Sequence, residues 1–476
     1  MGNQLSHYEK NYWSLYLEFL KMFENLQYGG FSLSYLCHFG SLIRRNQPLL
    51  NSLKQPGFYK TLHHQVTDDT DIQMVFNEFV KKHSRRQLRP AKGGKVVLYD
   101  VYNLLRIPNE ILRSQFKPSR SLIMMERHYK RNPRHTRFPT EFFDQYSARS
   151  KSMRHRIKKV KNQAQQLMEK YSNHSLVQNE HFQKNFLQQI EKIINRMVEA
   201  RNLFSKVTTA CVIVPSTHYP ESRTLVMVAA EKGIPTICLQ HGIFSSGFGY
   251  LPKVAYIDGV YGHFEEQWYQ DKGVNSSELK TEIIGHPRFD LIFKKPTKTK
   301  KSFQDKVGIE PYKKTILLAV RGRQNLNKWR QFLRAITKNE PYNIILRDFP
   351  NVHDHPLLKE FSNLKSTKGF HLHDVIHHVD AVVTYSSTVG LESMIAGKPV
   401  FIFNQSFPGY TGYYDMLDEL VQEDPIKLAK LVDKYFEDER LRERVKQKRE
   451  QFLAHAYPKQ EGTAGRRLTQ LIKRLS

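Results

Sequence analysis

Apolar residues recur along this chain with two different spacings. Before about residue 205 a long helical series stands out, at Phe182, Phe186, Ile190, Ile193, Met197 and Phe204. Such spacing predicts a helix with one buried face. After about residue 210, short apolar runs of strand length alternate with helical stretches. Because strands that follow one another through a crossover helix run in the same direction, this alternation predicts parallel sheets.

The apolar runs fall into two sets of predicted strands. The first set covers residues 95–99, 121–125, 210–214, 235–239, 254–257 and 282–284, and the second covers 315–320, 343–346, 370–372, 381–384 and 400–403. A Lys/Pro/Thr-rich run at 294–301 separates them as a linker. We therefore predict an α/β protein: a helical N-terminal extension over 1–90, a Rossmann-like domain over 91–295 with a basic helical insertion, and a second over 302–476.

The stretch 381–403 carries the sharpest local signals. Ser386 and Ser387 stand where the N-cap of a helix belongs, directly after a predicted strand. A helix start offers unpaired N–H groups and the positive end of a dipole, which favour phosphate. We therefore predict that Ser386, Ser387 and Thr388 bind a phosphate, and that Glu392, one turn further along the same face, reaches a ribose attached to it. The alternative is an ordinary capped helix with Glu392 in solvent.

Polar residues directly follow several other predicted strands. Ligands of open parallel sheets bind beyond the carboxyl ends of the strands, so we take these residues as candidates: Gln240-His241-Gly242, Gly285-His286-Pro287-Arg288, Arg321-Gly322-Arg323, Arg347-Asp348 and His355. Each position also has an ordinary explanation as a turn or an exposed loop. Asp69-Thr70-Asp71 matches a metal-binding Asp-x-Asp pattern, but no strand precedes it and a helix cap explains it better.

The chemistry of these residue types suits group transfer from a nucleotide diphosphate. Such a reaction needs positive charge on the leaving phosphates and a base for the acceptor hydroxyl. The cations predicted to neutralise the phosphates are Arg321, Arg323 and Arg347. His241 has a pKa range suited to the base, and Gly242 leaves room for substrate beside it. Weaker candidates for substrate contact are His286, Arg288 and His355.

The composition adds a strong positive charge. The chain of 476 residues contains 74 Lys and Arg against 46 Asp and Glu, a net charge of +28. Fifteen Lys or Arg against three acids lie between Arg113 and Lys161, which is either an anion-binding face or a solvated surface. The charge attracts nucleic acid, an anionic membrane face or a phosphorylated polymer. No apolar run approaches the roughly 20 residues that cross a bilayer and no signal peptide is evident, so we expect a cytoplasmic protein, with the inner membrane face as a further location.

Four motifs together resemble a bacterial family. LQHG at 239–242, GHPRFD at 285–290, IILR at 344–347 and YSSTVGLESMIAGKPV at 385–400 are similar to GT-B-fold enzymes of surface-polymer synthesis. The group includes the capsule polysaccharide synthesis glycosyltransferases and, more distantly, the CDP-glycerol glycerophosphotransferases of teichoic acid assembly. The resemblance spans residues 205–404, whereas residues 1–200 match no family.

The resemblance implies two Rossmann-like domains that face each other across a cleft, with the nucleotide on the C-terminal domain. It implies no metal and no cofactor besides the nucleotide-sugar co-substrate. It also implies the phosphate and ribose roles predicted above, with His241 near the acceptor. The chain departs from its relatives after the IILR motif, where Asp348 stands in place of a histidine and the next His-Pro pair is His355-Pro356.

The leading hypothesis is a metal-independent glycosyltransferase that moves a sugar from a nucleotide-sugar donor to a capsule or related cell-envelope glycan, or to its lipid-linked precursor. Alternatives with the same fold are a sugar-nucleotide 2-epimerase, a CDP-glycerol-type polymer phosphotransferase and an inactive scaffold. A basic nucleic-acid-binding protein is the alternative from another class. Because the chain has no recognisable reader motif, we expect no nucleic-acid partner.

Overall fold

The computed structural model describes residues 5–126, 137–148, 150–274, 278–338, 342–349, 355–404 and 407–476. The helices are α1 His7–Met22, α2 Phe39–Ile43, α3 Gln47–Ser52, α4 Asp71–His83, α5 Asn109–Gln115, α6 Lys151–Lys170, α7 Glu180–Lys206, α8 Pro220–Lys232, α9 His263–Asp271, α10 Lys300–Val307, α11 Leu326–Ile336, α12 Pro356–Glu360, α13 Leu372–His377, α14 Thr388–Ile395, α15 Pro425–Glu437, α16 Glu439–Ala456 and α17 Ala464–Leu475. The strands are β1 Gln27–Tyr28, β2 Phe31–Ser32, β3 Lys95–Tyr99, β4 Ser121–Met125, β5 Thr140–Phe142, β6 Thr209–Val214, β7 Thr236–Leu239, β8 Ile257–Val260, β9 Lys280–Ile283, β10 Lys314–Arg321, β11 Tyr342–Phe349, β12 Leu364–Ser366, β13 Ala381–Tyr385, β14 Val400–Phe403 and β15 Val421–Gln422.

Two parallel sheets organise the molecule. The first has seven strands in the order β5-β4-β3-β6-β7-β8-β9, and the second has six in the order β12-β11-β10-β13-β14-β15. Each sheet reverses its winding once, between β3 and β6 in the first and between β10 and β13 in the second. Such reversals open a crevice at the carboxyl ends of the neighbouring strands. The predicted α/β architecture with two Rossmann-like units is confirmed, and we call the parts around the two sheets the first and second lobes.

The N-terminal extension packs onto the first lobe through an aromatic stripe on α1. Tyr12, Tyr16 and Phe19 are buried on this face. Arg223 of α8 is also buried and donates to the hydroxyl of Tyr16 at 3.1 Å and to the carbonyl of Cys37 at 2.9 Å. A buried guanidinium with such partners ties the extension to the helix that follows β6.

The last helix returns to the first lobe. Leu468 and Leu471 of α17 share a buried cluster with residues of β3 and β6. Asp290 accepts hydrogen bonds from the backbone N–H groups of Ala464 at 2.9 Å and Gly465 at 2.8 Å, at the start of α17. The predicted boundaries at 91–295 and 302–476 remain predictions, but the packing of α17 assigns the final helix to the first sheet. Within the described part of the chain, the structure contains no helix both long and apolar enough to span a bilayer.

Some predicted elements are wrong or shifted. Residues 370–372, predicted as a strand, precede and begin helix α13, whereas the edge strand β12 lies at Leu364–Ser366. Gly369 with a φ of +86° turns the chain, and Phe370, which is half-buried, packs edge-on against Phe303, so this short run marks a turn. The strand predicted at 254–257 lies at Ile257–Val260. The amphipathic, cationic spacing from 425 to 452 predicts one long helix, but the structure has two, because Asp438 ends α15 and caps α16.

Candidate functional site

The carboxyl edges of the two sheets face each other at the loop after β7 and the start of α14. The backbone N–H of Ile243 donates to Thr388 Oγ1 at 3.4 Å. A Cβ atom added at Gly242 would lie 3.6 Å from the same oxygen. The loop that contains His241 therefore contacts the helix start predicted to bind phosphate, and these two candidate groups come from different lobes.

His241 is fixed in one tautomer by the backbone. Its Nδ1 lies 2.9 Å from the carbonyl oxygen of Pro215, which can only accept, so Nδ1 carries the proton. The other nitrogen, Nε2, has no recorded partner among the described residues. Burial lowers the pKa of His241 to about 4, with a contribution from the nearby charges of Arg106 and Arg288. The ring is therefore neutral at pH 7, with an unprotonated Nε2 able to accept a proton.

Buried polar groups hold the His241 loop in place. Gln240 Nε2 donates to the carbonyl of Gly242 at 2.8 Å and to Glu265 Oε1 at 2.8 Å. Burial raises the pKa of Glu265 to about 8, so this carboxyl is mostly protonated at neutral pH. The hydroxyl of Tyr250 lies 3.0 Å from the same Gly242 carbonyl. Both contacts act on the residue beside His241 and restrict the position of the imidazole.

The start of α14 lacks a side-chain cap. Ser387 is the N-cap residue, as predicted, but its hydroxyl bonds Thr384 Oγ1 at 3.0 Å and makes no capping bond. No acceptor is recorded within the described residues for the backbone N–H groups of Thr388 and Val389. Ser386 donates to Asn404 Oδ1 at 3.4 Å. Unpaired N–H groups at the positive end of a helix are suited to an anion.

Glu392 is buried and does not point into solvent, so the alternative of an exposed Glu392 is wrong. Its Oε1 lies 3.2 Å from an Arg288 nitrogen, and its Oε2 lies 2.8 Å from His373 Nε2. Burial alone would raise the pKa of this carboxyl, but Arg288 and His373 outweigh it and lower the pKa. Arg288 follows β9 of the first lobe, so the pair connects the lobes. A ribose hydroxyl would have to share an oxygen that already has a protein partner.

The three candidate phosphate-binding arginines differ in exposure. Arg321 and Arg323 are exposed, while Arg347 is half-buried and donates to the carbonyl of Phe370 at 3.2 Å. Burial lowers the pKa of Arg347, and the charge of Glu392 opposes this. Ala319 of β10 pairs with Thr384 near the end of β13. Because α14 begins just after β13, the chain that follows β10 runs beside the start of α14.

His355 and Asp348 hold the turn between two of these arginines. His355 Nε2 lies 2.8 Å from the Gly322 carbonyl, and Asp348 Oδ1 accepts from the Gly322 N–H at 2.8 Å. His355 Nδ1 also accepts from the N–H of Leu357 at 3.3 Å, which caps α12. With both ring nitrogens engaged, His355 is placed to position the Arg321-Gly322-Arg323 turn. Asp348, which departs from the family pattern, acts on the same glycine.

Two further candidates have local structural roles. His286 is buried, and its Nδ1 accepts from the N–H of Arg288 at 3.1 Å, so it caps the turn after β9. Asp71 opens α4 and accepts from the N–H groups of Thr67 at 2.7 Å and Asp68 at 2.9 Å. The N-cap residue of α4 is Thr70, which makes no side-chain capping bond, and the bonds to Asp71 come from residues before the helix, so the helix-cap interpretation of the Asp-x-Asp pattern is wrong.

Further polar residues that were not predicted from the sequence lie at the crevice between β3 and β6. The ring of His218, which follows β6, lies 4.1 Å from that of His38 in the N-terminal extension. In the loop after β3, three non-glycine residues have positive φ: Tyr102 at 54°, Asn103 at 56° and Arg106 at 48°. Such strained conformations concentrate at functional sites. The rule that ligands bind beyond strand ends, applied to β3 and β6, would have found this loop and His218, but no local pattern points to His38.

Comparison with known proteins gives a match in the second half of the chain. The family described as CDP-Glycerol:Poly(glycerophosphate) glycerophosphotransferase matches residues 264–474. Two solved structures share the fold over most of both chains. A UDP-N-acetylglucosamine 2-epimerase has a TM-score of 0.51 at 12% identity, with 82% of this chain and 96% of that chain covered. The S. aureus MnaA-UDP co-structure has a TM-score of 0.52 at 10% identity, with 80% and 96% covered.

The chain is a GT-B-type transferase. A curated relative, the lipid-A-disaccharide synthase of Persephonella marina, is 26% identical over 261 residues, which is 47% of this chain and 67% of that protein. The resemblance of this GT-B-type transferase to enzymes of surface-polymer synthesis is confirmed by the family match. A role in making a cell-envelope polymer is the function that these similarities support.

Proposed function

We propose that this transferase moves a sugar from a nucleotide-sugar donor to a hydroxyl of a capsule or related cell-envelope glycan, or of its lipid-linked precursor, without a metal ion. The supporting observation is the placement of His241 against the start of α14. A neutral imidazole with an unprotonated Nε2 belongs to one lobe, and an uncapped helix start belongs to the other. The imidazole can accept the proton of an acceptor hydroxyl, and the helix start can bind a donor phosphate.

In the proposed reaction, the donor diphosphate binds to the N–H groups at the start of α14. The hydroxyls of Ser386 and Thr388 lie beside it, and Arg321, Arg323 and Arg347 add positive charge. His241 Nε2 takes the proton of the acceptor hydroxyl while the hydroxyl oxygen attacks the anomeric carbon. The bond between that carbon and the phosphate oxygen breaks, and the nucleoside diphosphate leaves with the bonding electrons.

Glu392 keeps a proposed role in donor binding. It lies one turn below Thr388 on α14, where a ribose attached to the phosphate would extend. Each carboxylate oxygen has a second lone pair, so a ribose hydroxyl can donate to Glu392 while Arg288 and His373 stay in place. Arg288 would then hold Glu392 in its ionised form for this contact. The proposed substrate roles of three further residues are indirect: the loops around the substrate are positioned by Gly242, His286 and His355.

Glycerophosphate transfer from CDP-glycerol is the second candidate, because the family match carries that activity in its description. His241 would again take the proton and the start of α14 would again bind the donor phosphate, but the acceptor hydroxyl would attack phosphorus and CMP would leave. A 2-epimerase is the third candidate, since such an enzyme is among the fold neighbours and a second neighbour, MnaA, is in complex with UDP. An epimerase acts on the nucleotide-sugar without an acceptor.

Three incubations separate these candidates. UDP-N-acetylglucosamine alone tests for the 2-epimer, UDP-sugars with a cell-envelope glycan acceptor test for sugar transfer, and CDP-glycerol with the same acceptor tests for polymer phosphate formation. Release of UDP that depends on the acceptor supports the leading proposal. Epimer formed without an acceptor, or CMP released from CDP-glycerol, would replace it. A nucleic-acid-binding protein would instead bind DNA with a steep salt dependence and bind none of these nucleotides.

A further inference from the structure

The N-terminal half of helix α6 carries a dense group of cations. Lys151, Arg154, Arg156, Lys158, Lys159 and Lys161 lie within eleven residues, and the helix contains one acid, Glu169, near its other end. Lys161 pairs with Glu191 of α7 at 2.5 Å. For the other five, no ion pair with a described residue is recorded. Part of the basic tract that leads into α6, at 127–136 and 149, lies outside the described residues.

This arrangement opposes the local electrostatics of a helix. Cations near a helix N-terminus face the positive end of the dipole. Arg154 and Lys158 are also four residues apart on one face, and Lys158 and Lys161 are three apart, so like charges are neighbours. Sequences tend to break such local rules where function requires it. The charge on α6 therefore indicates a polyvalent anionic partner.

The shape of the surface distinguishes between anionic partners. Arg154 lines two recesses between α6 and α7, and Lys158 and Lys161 line the second of them. The recesses share Arg154, Ile157 and Glu191, so together they form a continuous groove. The side chains of Asn162 and Gln165 also line it. The apolar stripe of α6, at Met153, Val160, Ala164 and Met168, is buried against the protein. No apolar face of α6 is available to insert into a bilayer, whereas a groove admits a linear chain.

The groove lies beside the first sheet's carboxyl edge. Arg196 of α7 donates to the hydroxyl of Tyr99, the last residue of β3, at 2.9 Å and to Glu126, which follows β4, at 2.6 Å. Lys192 of α7 lies 3.2 Å from Glu221, which is in the first turn of α8, the helix that follows β6. The stretch of α7 that lines the groove is therefore level with the crevice between β3 and β6, on the His241 side of the molecule.

We propose that the groove between α6 and α7 binds a linear polyanionic acceptor, with Arg154, Lys158 and Lys161 on its phosphate or carboxylate groups and Asn162 and Gln165 on its hydroxyls. The three cations are spaced at about 6 and 4.5 Å along the helix axis, which suits a repeating anion. This inference rests on the proposed transferase function and adds the chemical class of the acceptor. The chain would run along α6 and present its growing end at the carboxyl edge.

The test measures binding of inorganic polyphosphate to the full chain by fluorescence anisotropy over a range of salt concentrations. The groove variant Arg154→Gln/Lys158→Gln is compared with Arg156→Gln/Lys159→Gln, which removes the same charge from other faces of α6. We expect roughly a tenfold loss of affinity and a salt slope reduced by about two in the groove variant, and less than about a threefold loss in the control. Neutral dextran should not compete. Thermal melting of both variants should match the wild type, since all four side chains are exposed.

Two outcomes would overturn the proposal. Equal losses in both variants would show diffuse charge attraction without a groove. Stronger binding to vesicles of phosphatidylglycerol than to polyphosphate, with both variants equally weakened, would identify a membrane surface. Binding of UDP and CDP, measured separately, tests the donor site alone. A wild type that binds polyphosphate in the groove but no nucleotide would leave the anion groove standing while the proposed function fails.

Discussion

The two facing sheet edges use their polar residues in different ways. At the first edge, His241 has one nitrogen bound to a carbonyl and the other without a recorded partner among the described residues. At the second edge, His355 has both nitrogens engaged by the backbone and holds the turn between two arginines. Both histidines follow strands in the sequence. Only their hydrogen-bond partners show that His241 can accept a proton while His355 supports a turn.

The two edges also differ in their electrostatic character. The first lobe presents a neutral imidazole whose pKa is lowered by burial. The second presents a helix start without a side-chain cap and the exposed Arg321 and Arg323. A neutral base suits a hydroxyl nucleophile, and fixed positive charge suits a leaving phosphate. The comparison predicts that substitutions at the first edge change the rate, while substitutions at the second change donor affinity.

The largest effect is expected for His241→Ala. Removing a general base costs about 10³-fold in rate, so kcat for transfer should fall by about that factor while nucleotide affinity stays within about twofold. Steady-state kinetics and calorimetry measure the two quantities. His263→Ala, which removes an exposed histidine of the same lobe, should leave both unchanged. Retained turnover in His241→Ala would remove this residue from the mechanism.

The contact between the edges is tested by Arg288→Met. It would leave the buried Glu392 carboxylate without its cation, and breaking a buried pair costs about 3 kcal/mol. Denaturant unfolding at pH 7 measures the loss. Because the folded-state pKa of Glu392 is lowered, its contribution is present above pH 4.5 and is lost as the pH falls through the lowered value. Lys21→Met, at an exposed pair, should cost less than about 1 kcal/mol, and an equal cost in both variants would contradict a connection between the lobes.

A smaller effect on donor affinity is expected for Ser387→Asp. Aspartate is a good N-cap residue, so the helix should be as stable as before, but its charge would occupy the position proposed for phosphate. We expect roughly a tenfold weaker affinity for UDP or CDP, measured by calorimetry, with an unchanged melting temperature. Ser387→Ala is the matched control, because the serine makes no capping bond to lose. Unchanged affinity in Ser387→Asp would exclude the helix start as the phosphate site.

The sequence predicted the second edge better than the first because its signals are local. Ser387 precedes α14 directly, and Gly397, with a φ of +78°, ends it two residues after its last position, so both signals are adjacent to the helix. The first edge depends on contacts distant in sequence. His38 meets His218 across 180 positions, and Arg223 reaches back to Tyr16. No periodicity encodes such contacts, since they result from the packing of the N-terminal extension onto the first lobe.

The burial of Glu392 shows a second limit of sequence reasoning. Helical spacing correctly places it below Thr388 on α14, but spacing within one lobe cannot show that Arg288 of the other lobe approaches the same carboxylate. The tautomer of His241 has the same origin, since Pro215 belongs to the neighbouring strand end. Local patterns identified which residues stand at the edges. Their partners, and hence their protonation states, depend on how the strands and lobes are assembled.

The smallest expected effect is the response of transfer to pH, which tests the neutral state of His241 directly. With a pKa of about 4, the imidazole is already neutral at pH 6, so kcat/KM should change by less than about twofold between pH 6 and pH 8. The rate should fall only as the pH drops towards 4, where protonation removes the acceptor lone pair. An acidic limb centred near pH 6.5 would mean that the ring titrates as a solvated histidine, and the contrast between the two edges would lose its electrostatic basis. NMR titration of the His241 ring protons, assigned by their loss in His241→Gln, reports the same pKa without turnover and separates a shifted histidine from a different rate-limiting group.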